Sequence, residues 1–496
     1  MSTPVILGVP RARPVVELGI GYSWTAGGTG AIWDESLWDA PTSTWAGTEW
    51  GFVDVTCETR DVTTFVGRER LTDQWQVGTA QITLSNTTGW ADYPRTWLPD
   101  ESLLDVRPGI AVRIGVALDG ADPQDARWLF RGYVDATTPG FVAGEGDVVV
   151  VDCIDAKGEA GRADLGVLAT AVGANETVTA RINRILAAVP WPADLRHLDT
   201  TGIQVVATTL GASVVDLLNV AGNSGGGAVF GDVDGAVTFR QRDWQLWDAD
   251  TPIDGVIGEY SAPLLIDLAE DPAGTQLFDP APVNFVEDPA GSGLWLLADP
   301  DYVLVEGPAW LFWPATVGPT TVCPSEWELS NSRGDFATRV LVGRPSEEPL
   351  VFDDVDGQAL YGVETFAQTD LETASNTELT ALGQRLLVTR GVDTAPRIAA
   401  VTIVAETADN TVDVIATVDP RIPSRYQCRH YTPGPNGPVA RFDRMMFATS
   451  VTHTIGADSW VCRIGLDDAA PWGIGVDAGR WDTTGVWDSS TWVRRL

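Results

Sequence analysis

A nucleophile elbow, a metal cage and a carboxylate pair are the chemistries these residue types could support, and spacing decides against each. Gly222-Asn223-Ser224-Gly225-Gly226 fits G-x-S-x-G, but that elbow needs a strand before the serine and a helix after it. Here a helix capped by Ser213 comes first and a hairpin follows, so the glycines read as a helix stop and a lead into the hairpin. Asp232-Val233-Asp234-Gly235 opens like a calcium loop, yet the fifth position is Ala236 and the twelfth is Asp243 rather than glutamate; it reads as a turn. Cys428, His430, His453 and Cys462 begin C-x-H and then run into long gaps, which is no standard zinc spacing. Lys157, the only lysine, lies in no phosphate-binding loop. Among 68 carboxylates nothing selects one catalytic pair. The expectation is no enzyme, no cofactor and no metal. Cys57, Cys153, Cys323, Cys428 and Cys462 are an odd five with no C-x-x-C, and read as free thiols in a reducing compartment.

The strongest feature outside any core is a repeat at the two ends. Trp33-Asp34, Trp38-Asp39 and Trp45 are echoed by Trp481-Asp482, Trp487-Asp488 and Trp492. Ten of the 21 tryptophans fall in residues 1–50 and 460–496, so these are not ordinary frayed tails. Exposed together they would make a sticky patch that something must cover. Folding back on their own domain, docking on a partner chain and stacking on sugar rings are the three readings. Trp33, Trp38, Trp45, Trp481, Trp487 and Trp492 are the candidate partner-docking residues.

Charge filters function further. With 32 Lys+Arg against 68 Asp+Glu the chain carries −36 at pH 7, and a polyanion is repelled by most of such a surface. Ordinary nucleic-acid binding is not expected, although a passage that DNA traverses without sticking fits that charge. The 44% hydrophobic and 20% charged residues are a globular composition, and no run approaches the ~18 to 20 apolar residues of a spanning helix. The VILGV patch near the start is too short for a signal peptide.

The pattern of elements is α+β, mainly β, and multi-domain: two β-rich stretches of short strands, the first suggesting a small barrel or sandwich, an α/β segment with a hairpin, and Trp-rich terminal extensions. Residues 1–50 form the N-terminal extension. Residues 51–160 read as a first small β-barrel or sandwich, with strands at Thr79–Asn86, Val112–Leu118, Trp128–Val134 and Val148–Ile154. Residues 161–240 are α/β, with helices over Thr177–Ala188 and Val214–Ala221 and a hairpin about Asp234-Gly235. Residues 241–395 are a Pro/Trp-rich β region ending in a helix with a Ser375/Glu378 capping box. Residues 396–470 form a second barrel, with strands at Ile398–Val404, Val412–Val418, Phe447–Ile455 and Trp460–Leu466. Residues 471–496 are a Trp-Asp tail.

Several short motifs then occur in a telling order: Asp54-Val55-Thr56, Gly67-Arg68, the run Gly78 to Leu84 with Asn86 and Gly89, Arg107-Pro108-Gly109 before Val112-Arg113-Ile114, and Leu129 to Asp135. The helix–Gly–hairpin unit at 213–240, Tyr361-Gly362, His453-Thr454-Ile455, Trp460 and Leu466 follow. In that order the chain resembles the hub or minor tail proteins at the tip of siphophage tails, especially of phages infecting actinobacteria. The resemblance covers roughly residues 50–470 and leaves the Trp-Asp extensions outside.

That resemblance implies a mechanical role. Such hubs are trimers whose subunits each place two related small β-barrels about the tail axis, giving a pseudo-sixfold ring that meets a sixfold tube, and the β-rich stretches 51–155 and 396–470 are the candidates for those barrels. It implies a virion protein of the tail tip, assembled in the host cytoplasm. Its partners would be two further copies, the distal tail protein, the tape-measure protein and receptor-binding proteins, with DNA passing the lumen without specific binding. Opening of the ring on host contact would release tape measure and DNA. The rival reading is a host-surface glycan adhesin that uses the tryptophan clusters.

Overall fold

The computed structural model describes residues 12–20, 51–86, 106–118, 121–122, 125–142, 146–168, 170–211, 213–242, 244, 255–258, 285–287, 295–297, 302–305, 311–314, 321–322, 324–330, 334, 336–391, 397–405, 411–422, 425–434 and 437–469. The fold is α+β and mainly β. Seven strands come first: β1 (Ala12–Ile20), β2 (Gly51–Asp54), β3 (Thr59–Gly67), β4 (Thr79–Ser85), β5 (Ala111–Leu118), β6 (Arg127–Val142) and β7 (Gly146–Asp155). They lie side by side as β2-β1-β5-β6-β7-β4-β3, every pair antiparallel.

The alternation legible in β4 is what the sheet buries: Ala80, Ile82 and Leu84 go inside, while Thr79 and Gln81 face solvent. β1 shows no such alternation because Val15, Val16 and Leu18 are buried on both faces, which removes the period-two signal. β6 runs to Val142, well past the expected Val134. A bulge between Val134 and Ala136 shifts the phase of inward and outward side chains, so the pattern breaks there although the strand does not.

An α/β layer follows, with helices α1 (Ala156–Ala160), α2 (Val178–Ala188) and α3 (Val214–Ser224) and strands β8 (Glu176–Thr177), β9 (Arg196–Leu198), β10 (Gln204–Val205), β11 (Ala228–Gly231) and β12 (Val237–Arg240). Thr177 and Ser213 cap α2 and α3 through their side chains. Val178, Ile182, Ile185 and Leu186 of α2 pack with Val214, Leu218 and Ala221 of α3 in one core. Short strands β13 (Gly255–Gly258), β14 (Phe285–Glu287), β15 (Trp295–Leu297), β16 (Tyr302–Val305), β17 (Leu311–Pro314), β18 (Thr321–Val322) and β19 (Glu326–Ser330) come next.

Strands β20 (Arg339–Val342), β21 (Leu350–Asp353) and β22 (Thr365–Gln368) make a separate small sheet. Between β21 and β22 lies α4 (Val355–Tyr361). Helix α5 (Asn376–Thr389) covers the sheet with Leu379, Leu382 and Leu386, and Ser375 accepts the Glu378 N–H as its sequence motif predicts.

The last strands are β23 (Arg397–Ala405), β24 (Arg425–Gly434), β25 (Gly437–Ile455) and β26 (Trp460–Asp468). Val412–Val418 is not the expected strand: Thr411–Thr417 forms helix α6. Val412, Val414, Ile415, Ala416 and Val418 are all buried, and a short apolar run buried on every side carries no period that separates helix from strand. No helix among the described residues is long and apolar enough to cross a membrane.

His453 of β25 is 1% exposed and accepts the Trp460 indole N–H at Nδ1, 3.2 Å away. Burial pushes its pKa down to about 3. The unfolded chain takes up this proton below its ordinary 6.5 and the folded chain does not. The contribution to stability is therefore complete above about pH 6.5 and is lost as pH falls towards 3. Between pH 7 and 5, chemical denaturation should show native protein losing about 2 kcal/mol more than a His453→Gln variant. Parallel pH dependences of the two proteins would contradict the assignment.

Candidate functional site

The two strand-rich parts of the chain are built to one plan. In the first unit β3, β4, β5, β6 and β7 lie in the spatial order β3-β4-β7-β6-β5; in the second β19, β23, β24, β25 and β26 lie as β19-β23-β26-β25-β24. Every pair in both is antiparallel. The registers agree across the β6–β7 and β25–β26 ladders. On β6 the pairs Gly132–Asp155, Tyr133–Ile154 and Val134–Cys153 precede a bulge, after which Ala136 meets Asp152. On β25 the pairs Met446–Asp468, Phe447–Asp467 and Ala448–Leu466 precede a bulge, after which Ser450 meets Gly465. Tyr133 also faces Ala111, as Phe447 faces Arg425. Across β4 and β23 the same frame sets Ile82, Thr83 and Leu84 in the places of Val401, Thr402 and Ile403, with matching burial.

Strand β25 splices the units into one 14-stranded sheet. Met446 pairs with both Tyr426 and Asp468, so β24 and β26 lie on opposite edges of it. Ser450 pairs with Gly465 and with Gly67, so β3 lies beyond β24 on the same edge as β24. Val62 faces Ile455 and Val66 faces Val451, all four nearly fully buried, each such burial being worth roughly 1.5–3 kcal/mol. At the end of this ladder Gly67 has φ +134°, and a Cβ there would sit 2.4 Å from the Ser450 Cα and the Thr449 carbonyl oxygen. Only glycine fits.

The loop after Gly67 meets the second unit, the end of α5 and β11 of the α/β layer. Arg68 N–H donates to the Thr449 carbonyl at 2.9 Å, and its guanidinium lies 5.3 Å from the Trp75 ring. Burial lowers the Arg68 pKa to about 10, opposed by Asp467 and Asp73. Asp467 accepts the Leu71 N–H at 2.9 Å and lies 3.8 Å from both Arg70 and Arg397. Arg390, at the end of α5, pairs with Asp73 while its guanidinium lies 3.8 Å from the Phe366 ring centre. Trp75 packs on Phe230 of β11 with ring centres 4.6 Å apart.

A second set of buried polar groups fixes the α/β layer. Asp155 caps α1, accepting the Gly158 N–H at 2.8 Å and the Gly78 N–H at 2.7 Å. Lys157 is fully buried and donates to the Trp75 carbonyl at 2.6 Å and Asn219 Oδ1 at 2.7 Å. Arg181, also fully buried, pairs with Glu176 and with Glu372, and donates to the Val206 carbonyl at 2.6 Å. Ser224 Oγ accepts the Glu372 N–H at 2.7 Å and donates to the Val220 carbonyl. The serine of the G-x-S-x-G match thus sits in the last turn of α3 and holds a neighbouring segment.

In the sequence Lys157 and Ser224 stand out only as motif matches that fail, and a lone arginine carries no periodic signal. Gly67-Arg68 did stand out, as part of a motif order. Trp33, Trp38, Trp45, Trp481, Trp487 and Trp492 lie outside the described residues. His197, Asp232 and Asp234 bring one ligand atom each within 4.8 Å of one another. Asp232 there accepts the Val233 N–H and the Thr238 hydroxyl, and Gly235 at φ +76° closes the hairpin turn.

Burial lowers the Lys157 pKa to about 8, with Asp155 opposing the shift. Between pH 8 and the ordinary 10.5 the unfolded chain still holds a proton that the folded chain has released, so this group adds stability as pH rises. Denaturation at pH 7.5 and 10 should show native protein gaining about 2–3 kcal/mol relative to Lys157→Met. An unchanged gap between the two proteins would remove the charged lysine from the site.

No protein-family model and no curated protein sequence matches the chain. Among solved structures it is similar to a tail protein from Neisseria meningitidis MC58, with TM-score 0.48 and 11% identity over 86% of this chain and 95% of that one. It is also similar to the 43 kDa tail protein of prophage MuSo2 from Shewanella oneidensis, with TM-score 0.47 and 10% identity over 93% and 99%. A third is an E. coli type VI secretion component described as structurally similar to the T4 tail proteins gp27 and gp5, with TM-score 0.40 and 9% identity over 83% and 73%. All three scores are below 0.5 and carry no functional conclusion by themselves.

Proposed function

We propose that the chain is a structural hub of a phage tail tip, three copies of which close a ring around the tail axis. The observation that supports this most is the repeated five-stranded unit. A subunit with two units of equal strand order and one shared bulged ladder offers two similar docking faces, so three subunits offer six to a sixfold tube. The motif order in the sequence supports the same reading. In it the ring joins the tail tube and distal tail protein to the receptor-binding apparatus, holds the tape measure, and opens to let DNA through. Closed cyclic symmetry is the ordinary way for one chain to enclose a passage. The charge of −36 suits a channel that must not retain DNA.

Light scattering on purified protein across a range of concentrations, alone and with its tail partners, tests the ring. The expected mass is three times the 53.1 kDa chain. A monomer under all those conditions would refute the reading.

A further inference from the structure

We propose that residues 489–496 of this chain dock on the open face of its own β20–β22 sheet, with Trp492 and Val493 on an apolar row there and Arg494 and Arg495 facing the carboxylates around it. The inference goes beyond the ring reading and does not depend on it.

The β20–β22 sheet is covered on one face only. Val340, Val342 and Phe352 belong to the core under α5. The alternate positions make the other face, where Leu341 pairs with Val351 and with Ala367, and Arg339 pairs with Asp353 and with Thr365. Val351 is 53% exposed, Ala367 is exposed and Leu341 is half-buried. Helix α4 extends this surface. Gln358 donates from Nε2 to Asp353 Oδ1 at 2.6 Å, and Val355 and Tyr361 lie one turn to either side of it on the same helix face. Val355 is 72% exposed and Tyr361 39%. A single exposed valine is ordinary, but an apolar row that continues from strand onto helix marks a surface that something covers.

Charge selects the occupant. Glu347 and Glu348 precede β21, and Asp353, Asp354 and Asp356 end it or follow it. These five carboxylates face two cations, Arg339 paired with Asp353 and Arg344 paired with Glu347. Glu348 and Asp356 are exposed. A ligand for this face must be both apolar and cationic, which is scarce in a chain at −36. Arg494-Arg495 is the only pair of adjacent cations in the sequence; it follows Trp492-Val493, with no Asp or Glu after Asp488. Burial of the indole supplies most of the attraction, and the arginines, in exposed and individually weak ion pairs, set its place.

The segment has the reach. Ala469 is the last described residue. Just before it, Asp467 lies 3.8 Å from Arg70, which donates to the Thr389 carbonyl at the end of α5 at 3.4 Å. The chain thus leaves β26 beside the helix that covers this sheet. That helix has 14 residues and is ~21 Å long, whereas residues 470–488 can span up to ~60 Å.

The test places a benzophenone on Thr365→Cys, exposed on the open face, in full-length protein carrying Cys57→Ser and Cys323→Ser. After irradiation and trypsin digestion, mass spectrometry should find it joined to peptide 481–494, in a product that runs at the mass of one chain. The same label on Thr79→Cys, exposed on β4, should not reach that peptide. Arg494→Glu with Arg495→Glu should cut the yield about fivefold. Adding Glu348→Lys and Asp356→Lys should restore most of it, a rescue that damaged folding would not give. A link to any other peptide, a link to 481–494 only in products of two chains, equal labelling from Thr79→Cys, or no link at all would overturn the proposal.

Discussion

The pairing of β3 with the far half of β25 is the constraint on which the rest of the molecule depends. It joins two chain segments nearly 400 residues apart into one sheet, and its last rung requires a glycine at residue 67 because the backbone of Thr449 and Ser450 occupies the space of a side chain. Strand pairing alone would leave the loop after Gly67 free to wander. Instead that loop turns back across the junction and becomes the place where the α/β layer, the α5 sheet and the second unit are fastened.

The fastening is ionic and buried. Arg68, Arg70, Arg390 and Arg397 converge on Asp73 and Asp467, in a protein whose carboxylates outnumber its cations twofold. Buried pairs of this kind add little net stability over apolar packing, yet removing one partner is costly. They therefore act on arrangement: few alternative dockings of the parts satisfy every charge. Lys157 and Arg181 do the same for the α/β layer. A molecule so joined moves as a connected frame.

Duplication of the five-stranded unit accounts for much of the length of this 496-residue chain.

Much of the local structure was legible from residue types. The caps Ser213 and Ser375, the stripes of α2 and α5, the alternation of β4 and the hairpin at Asp234-Gly235 all follow from short-range physics, and the structure has them. The sequence alone also excluded a nucleophile elbow at Ser224, since helix and strand stand in the wrong order around it. Strand β1, the extension of β6 past its bulge and helix α6 were not legible, because burial on both faces or a phase slip erases periodicity. Nor could spacing reveal that Arg68, Asp467 and Arg390 meet, that Lys157 is buried, or that β4 through β7 repeat as β23 through β26. Those facts depend on which strands lie side by side, and strand adjacency is set by packing between segments hundreds of residues apart, not by the residues that neighbour one another along the chain.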